Sequence, residues 1–228
     1  LFHLGTETVI GTPTTQDKMF IRFSDQEDIS DYAPTSTNTA GTFQLDDGTE
    51  IRGAVKGKDY IFILTDTAAY ISQFVGPPFT FSIRKVGSNC GVGGKNTAID
   101  VDGVVYWMAD SGGFFVYDGT VKSLPCSVED FVFTTNNTGD LGISFDQAKK
   151  VYAGYNTLFG EVTWYYPKSG SNVIDRNVTF NYTENTWTTG SLARTTYYDA
   201  QLFDHPYATE YAVTGVPTFP TIKGATNA

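Results

Sequence analysis

The sequence predicts an all-β fold, a β-propeller built of four-stranded antiparallel blades and incomplete within this chain. Three observations predict it. First, 40% of the residues are apolar and 15% aromatic while only 18% are charged, so the chain carries too much apolar mass to stay unfolded. Its abundance of Gly, Thr and Asn beside Tyr and Phe suits short strands joined by tight turns. Second, no apolar period of 3.6 persists over ten residues, which leaves no room for long helices. Third, one strand-and-turn unit recurs along the chain, and recurrence at this spacing marks repeat architectures.

The recurring unit begins with an extended run closed by a small residue and an aspartate: Ile21-Arg22-Phe23-Ser24-Asp25, Phe62-Ile63-Leu64-Thr65-Asp66 and Tyr106-Trp107-Met108-Ala109-Asp110. The closing aspartates stand 41 and then 44 residues apart. Asp25, Asp66 and Asp110 are therefore candidate turn residues, each expected to hold its own turn by accepting backbone N–H groups two residues on. An aromatic strand returns after the second and third copies, at Ala69–Ile71 and Phe114–Tyr117. Ahead of those copies lie Thr49–Val55 with a turn at Lys56–Asp59, and Thr97–Val101 with a turn at Asp102-Gly103. Asp-Gly between apolar runs is a strong hairpin signal, so Asp102 and Gly103 are also assigned to a turn. Phe79–Ile83 and Val121–Leu124 supply the fourth strands.

Four short strands every ~40–45 residues is the period of a propeller blade. A longer copy follows, with strands at Val151–Tyr155, Glu161–Tyr166, Asn177–Tyr182 and Thr186–Gly190, and Arg194–Tyr198 opens the next. The insert Pro167 to Arg176 is expected to protrude as a hairpin tip, and Val128 to Phe133 to form one helical turn capped by Ser127. The reading gives about four blades plus a partial one over residues 1–204. An irregular Pro-, Thr- and Gly-rich segment follows over 205–228. The chain opens at Leu1 with no initiator Met, so a piece of a longer polypeptide is expected.

Candidate chemistry is thin. His3 and His205 are the only histidines, and neither stands beside a nucleophile motif. Gly91-Val92-Gly93-Gly94-Lys95-Asn96 lacks the spacing of a phosphate-binding loop and reads as a loop between blades, with Gly supplying positive φ. The carboxylate pairs Asp46-Asp47, Asp100/Asp102 and Glu129-Asp130 match neither a calcium loop nor a defined acid–base pair, and read as turns or solvated surface. The acidic run from Ser24 to Asp31 reads as a solvated loop, with an acidic channel wall as the sharper alternative. Trp107, Trp164, Tyr165, Tyr166 and Trp187 are expected to fill the core between blades. The sequons at Asn136, Asn177 and Asn181 imply no glycan without a secretory context. No catalytic residue, cofactor or metal is expected, and the chain is read as non-enzymatic.

Net charge bounds the partners. With 15 Lys and Arg against 25 Asp and Glu, the formal charge is −10, which argues against gripping nucleic acid through its phosphates. An acidic wall past which DNA slides remains compatible, because it repels phosphate. Cys90 and Cys126 lie 36 residues apart with no metal-ligand spacing and are expected to be free thiols. No run approaches the roughly 18–20 apolar residues of a membrane-spanning helix, so no membrane insertion by this segment is expected.

Several strings taken in order carry a resemblance: Ile21–Asp28, Thr37–Gly41, Val75–Phe79, Val101–Met108, Leu124–Phe133 and Glu161–Pro167. Together, over roughly Val9 to Tyr198, they resemble the propeller part of the tail nozzle (tail tubular) or tail-hub stabilisation proteins of short-tailed bacteriophages. The resemblance implies a virion structural protein of the phage tail. It would stand in a hexameric ring with copies of itself, beside adaptor and fibre proteins, with genomic DNA passing through without specific binding. It brings no catalytic residues with it. The alternatives from other classes are a glycan-binding tail-fibre or receptor-binding module, with exposed aromatics near the 167–176 insert, and a carbohydrate-active propeller enzyme.

Overall fold

A computed structural model describes residues 1–76, 79–134, 142–199, 206–210 and 223–224. The chain divides into two compact units, Leu1–Gly91 and Val92–Ala228, a boundary the repeat alone does not mark.

In the first unit, β1 (Phe2–Leu4), β2 (Phe20–Phe23) and β3 (Gly41–Gln44) form a three-stranded antiparallel sheet with β2 in the middle. The blade expected around Ile21–Asp25 therefore has three strands, two of which come from segments with weak strand patterns. The strands β4 (Ile51–Lys56), β5 (Tyr60–Thr65), β6 (Ala68–Gly76) and β7 (Thr80–Ser88) form a four-stranded meander. β5 carries Ile61, Phe62, Ile63 and Leu64 and β6 opens with Ala68, Ala69, Tyr70 and Ile71; Phe62–Thr65 and Ala68–Ser72 are buried without a break, so both faces are covered, as central strands require. Met19, Ile21, Leu45, Ile63, Ala68, Tyr70 and Ile83 make the core. Arg22, whose alternation turns it away from that core, is covered by loops. Its guanidinium donates to the carbonyls of Glu7, Thr8 and Tyr32 at 3.0–3.3 Å.

In the second unit, β8 (Ala98–Val101), β9 (Val104–Met108), β10 (Phe114–Tyr117) and β11 (Val121–Leu124) form one meander. The helical turn α1 (Glu129–Phe133) follows. Its N-cap is Val128 with no side-chain cap bond, so the Ser127 cap is corrected. A 3-10 turn at Phe145–Lys150 leads to the second meander, β12 (Tyr152–Asn156), β13 (Glu161–Tyr166), β14 (Arg176–Asn181) and β15 (Thr186–Gly190). A three-stranded sheet of β16 (Arg194–Tyr198), β17 (Tyr207–Glu210) and β18 (Lys223–Gly224) ends the described chain. Two strands thus lie in the segment from 205 that reads as irregular: β17 pairs with β16, and β18 pairs with β17.

The core of this unit joins β9, β10, α1 and β12–β14 through Met108, Phe114, Val132, Trp164 and Phe180. Trp164 is fully buried and donates its Nε1–H to the Thr97 carbonyl at 3.0 Å. Trp187, stacked at 6.1 Å on Trp164, donates to the Pro125 carbonyl at 2.9 Å. Each indole therefore has its one polar atom satisfied, with Trp164 buried and Trp187 half-buried against it. The insert between β13 and β14 does not stand free: Ser169 N–H donates to the Gly142 carbonyl at 2.7 Å, and Ile174 is buried.

Among the described residues, the five sheets are antiparallel meanders in which neighbours in sequence pair in space, and none closes on itself. The chain is all-β, an incomplete propeller-like fold. Within the second unit the first strands of its three sheets, β8, β12 and β16, lie side by side. Gly154 makes the closest approach, since a Cβ there would stand 2.9 Å from the Tyr197 ring.

Candidate functional surface

The aspartates that close the repeated strands do more than hold their own turns. Asp25 Oδ1 accepts from both the backbone N–H and the hydroxyl of Thr39, at 2.7 and 2.6 Å. Asp66 accepts from the N–H and hydroxyl of Thr49, at 2.7 and 2.5 Å. Each is a two-pronged clamp on a threonine 14 or 17 residues away, so the expected local cap is corrected to a longer tie. Asp199 repeats the device in the second unit, accepting from the N–H and hydroxyl of Thr157 at 3.2 and 2.6 Å. Asp110 lies in the turn between β9 and β10, where Ala109 N–H donates to the Gly113 carbonyl.

Asp102 and Gly103 form the two-residue connection between β8 and β9, both with positive φ (52° and 88°). That is the mirror-image turn matching the strand twist, and Asp100 Oδ1 accepts the Gly103 N–H at 3.3 Å. The glycines of the 91–94 run answer a different need from the expected positive φ. A Cβ at Gly91 would stand 2.1 Å from the Asp66 carbonyl, one at Gly93 2.5 Å from Ala148 Cβ, and one at Gly94 2.8 Å from the Lys149 carbonyl. The run is buried and close-packed, the opposite of an open phosphate cradle.

The polar groups of the second unit gather where its first strands end. Asp100 and Asp102 stand at the end of β8, Tyr155 at the end of β12, and Tyr198 and Asp199 at the end of β16. The Thr157–Asp199 clamp fixes the last two ends to each other. Burial, then the charges of Asp199, Asp102 and Asp100, raises the Tyr155 pKa above its ordinary value. Burial and the same pair Asp102 and Asp199 raise that of Tyr182, which stacks on Tyr106 at 6.2 Å. These phenols stay neutral, so the charge of this rim comes from its carboxylates. Burial also raises the Asp100 pKa, and its Oδ2 is shielded with no hydrogen-bond partner. The result is a cluster of carboxylates with aromatic edges where the first strands of the unit's sheets end.

The Asp46-Asp47 pair lies in the first unit, and each carboxylate accepts hydrogen bonds there. Asp46 accepts from the Tyr70 hydroxyl at 2.7 Å, and Asp47 from Thr67, Lys85 and Ser88 at 2.9–3.3 Å. These bonds hold both carboxyls below their ordinary values, while burial and Asp46 push the Tyr70 phenol to about 12. The pair staples the β3–β4 connection onto β6 and β7. Neither Cys90 nor Cys126 forms a disulfide, and burial pushes both thiols to about 11, so neither is a reactive thiolate. His3 stands edge-on to Tyr32, and Asn177 is buried. His205 and the sequon at Asn136 lie outside the described residues. Among the described residues, no group of three or more His, Cys, Asp or Glu is disposed to hold a metal ion, and no helix is long and apolar enough to cross a membrane.

No protein-family model matches the sequence, and no curated protein matches it. Among solved structures, the chain is similar to an apocarotenoid oxygenase from Synechocystis at 12% identity and TM-score 0.39. That likeness covers 83% of this chain and 48% of the oxygenase, so the chain spans about half its length. A chain of the S. cerevisiae structure of Dbp5 bound to Nup159, Gle1, IP6 and ADP is similar at 7% identity and TM-score 0.30, covering 84% of this chain and 67% of that one. Likenesses at this level carry no argument about function.

Proposed function

We propose that this chain is a structural module of a short-tailed phage tail, of the nozzle or hub kind. It forms a ring with copies of itself, in contact with adaptor and fibre proteins, and genomic DNA passes without being gripped. The observation that carries the reading is the acidic rim where β8, β12 and β16 end, with Asp100, Asp102 and Asp199 around neutral tyrosines. Carboxylates there disfavour phosphate contact, and rigid meanders suit a load-bearing wall. The work is mechanical and electrostatic, with no bond-making step and no cofactor. The ordered strings quoted above support the same reading. The insert offered for glycan contact holds no aromatic residue between Pro167 and Arg176 and is tied to residues 142–144. That leaves the glycan reading without an observation in its favour.

The test is electron microscopy of the assembly, classified for rotational symmetry. A closed ring with an open axial channel, seated on a virion tail, is the expected result. A monomer or trimer without a channel overturns it. Duplex DNA is expected to bind no more tightly as salt falls, whereas a steep gain at low salt would mark a phosphate-gripping surface.

A further inference from the structure

Three Asp-Gly pairs occur in the chain: Asp47-Gly48, Asp102-Gly103 and Asp118-Gly119. They share one latent chemistry. The glycine nitrogen can attack the aspartate Cγ, because glycine carries no Cβ to hinder the approach. The sequence makes the three pairs equivalent, and the fold separates them.

Two of the aspartates are held. Asp47 accepts from Thr67 through one carboxylate oxygen and from Lys85 and Ser88 through the other, at 2.9–3.3 Å. A Cβ at Gly48 would stand 2.7 Å from both Asp66 Oδ1 and Thr65 Oγ1, so the peptide there has little room to turn. Asp118 accepts from Lys122 Nζ at 2.6 Å and from the Thr120 hydroxyl at 3.4 Å. That ion pair is exposed, so its hold is the weaker of the two. These bonds favour the ionised form of both carboxyls, and an ionised carboxyl resists attack by a nucleophile.

Asp102 is different. It is exposed, and no hydrogen bond or ion pair holds its carboxyl among the described residues. A Cβ at Gly103 would meet nothing within 4 Å, so the 102–103 peptide has space to swing. The Gly103 N–H points at Asp100 Oδ1, 3.3 Å away. The other oxygen of Asp100 is shielded and has no partner of its own. Burial raises the Asp100 pKa, which makes it a stronger base than an ordinary carboxylate.

We propose that Asp102-Gly103 is a site of spontaneous isoaspartate formation, with Asp100 as the base that takes the Gly103 proton. The protonated carboxyl of Asp102 is the reacting form. Gly103 N bonds to Asp102 Cγ and gives its proton to Asp100 Oδ1. Asp100 passes that proton to the departing hydroxyl, which leaves as water, and a five-membered succinimide remains. Water then opens the ring. Attack at the side-chain carbonyl restores aspartate, and attack at the backbone carbonyl leaves the chain running through the β-carbon. Water is the only co-reactant, and the mass of the chain is unchanged at the end. The product lengthens the β8–β9 connection by one backbone atom and moves a carboxylate within the cluster at the end of β8. This inference does not rest on the tail reading.

The experiment incubates the folded chain for weeks at neutral pH, beside a sample unfolded in urea. Isoaspartate is mapped by digestion, electron-transfer fragmentation and labelling with protein-isoaspartate methyltransferase. In the folded chain, conversion is expected to be fastest at Asp102, slower at Asp118 and slowest at Asp47. In urea the three are expected to convert at similar rates. Asp100→Asn keeps an acceptor for the Gly103 N–H but cannot take its proton. It is expected to slow conversion about tenfold, less than a well-placed base supplies, because the contact is long. Asp102→Asn keeps a favoured turn pair and is expected to lose ammonia and form isoaspartate faster than the wild type. Unchanged circular dichroism certifies that both variants fold. A folded wild type that converts nowhere, or as fast at Asp47 or Asp118 as at Asp102, overturns the proposal. So does an Asp102→Asn chain that stays intact, since the turn then withholds the ring geometry. Conversion of Asp100→Asn at the wild-type rate removes Asp100 from the reaction. An assembly without a ring in micrographs sinks the tail reading and leaves this chemistry untouched.

Discussion

Replacing Asp66 by alanine strips Thr49 of both its acceptors and frees the β3–β4 connection from the end of β5. Hydrogen bonds to a charged group are worth about 1.5–3 kcal/mol each when shielded. Asp66 is partly solvated, which brings the expected loss down to about 1 kcal/mol. A urea titration of Asp66→Ala against the wild type reads it, and an unchanged midpoint would show that the clamp is ornamental. Asp100 is the opposite case. Its buried, unpartnered Oδ2 makes the charged form costly, which is why burial raises its pKa. Asp100→Asn keeps an acceptor for Gly103 N–H and removes the charge. The melting temperature is expected to rise by roughly 1–3 °C near pH 7. The gain should fade as pH falls and the wild-type carboxyl takes up its proton. Calorimetry at pH 7 and pH 4 checks both halves, and a lower melting temperature at pH 7 would count against a strained charge. At this scale the sequence shows only half the story. The aspartate at the strand ends Asp25, Asp66 and Asp110 is plain, whereas Asp199 follows Tyr198 and lacks the small residue that marks the others. The threonine each one clamps depends on which segments meet in space, 14 to 42 residues away.

At the scale of elements, most strands are legible because their causes are local. β-Branched and aromatic runs with polar punctuation give β4 to β15 within a residue or two, apart from the extra reach of β6 and β7, and Asp102-Gly103 specifies its turn alone. β1, β3, β17 and β18 are short, and their pairing is decided by the strands beside them: β2 for β1 and β3, β16 for β17, and β17 for β18. The 91–94 run shows the same limit, since close approach to Asp66, Ala148 and Lys149 leaves no local mark. Gly91→Ala puts a methyl group into the backbone of the β5–β6 turn, where nothing flexible can move aside. Overpacking usually costs 1–3 kcal/mol, and a backbone clash belongs at the top, about 3 kcal/mol. Chemical denaturation is the measurement; a loss under about 0.5 kcal/mol would mean that the turn yields freely.

Over the whole molecule, the two units carry their acids differently. In the first, Asp25, Asp28, Asp46, Asp47, Glu50 and Asp66 all sit below their ordinary values because hydrogen bonds favour the charged form. That stabilisation is complete above the unfolded values near pH ~4 and is lost as pH falls through the lowered folded values. In the second, burial raises Asp100 and Glu161, whose protonation relieves a cost as pH falls, while Asp118 follows the first pattern. Below pH 4 the first unit is therefore expected to open before the second. Hydrogen exchange at pH 3 and pH 6 reads this directly: protection over 51–88 should fall while that over 152–190 persists, and the reverse order would refute the assignment. The rim itself was beyond reach from sequence, because Asp100 and Asp199 stand 99 positions apart and only the folded chain brings their strands together.

The meander order of every sheet also governs how the chain is made. Each strand pairs with the one synthesised just before it, so a sheet completes while later ones are still inside the ribosome. Few distant partners are needed until Trp164 reaches back 67 residues to Thr97. Nascent chains released short of that residue should leave an uncovered apolar face on β9 and β10, and that interval is when a chaperone has something to hold.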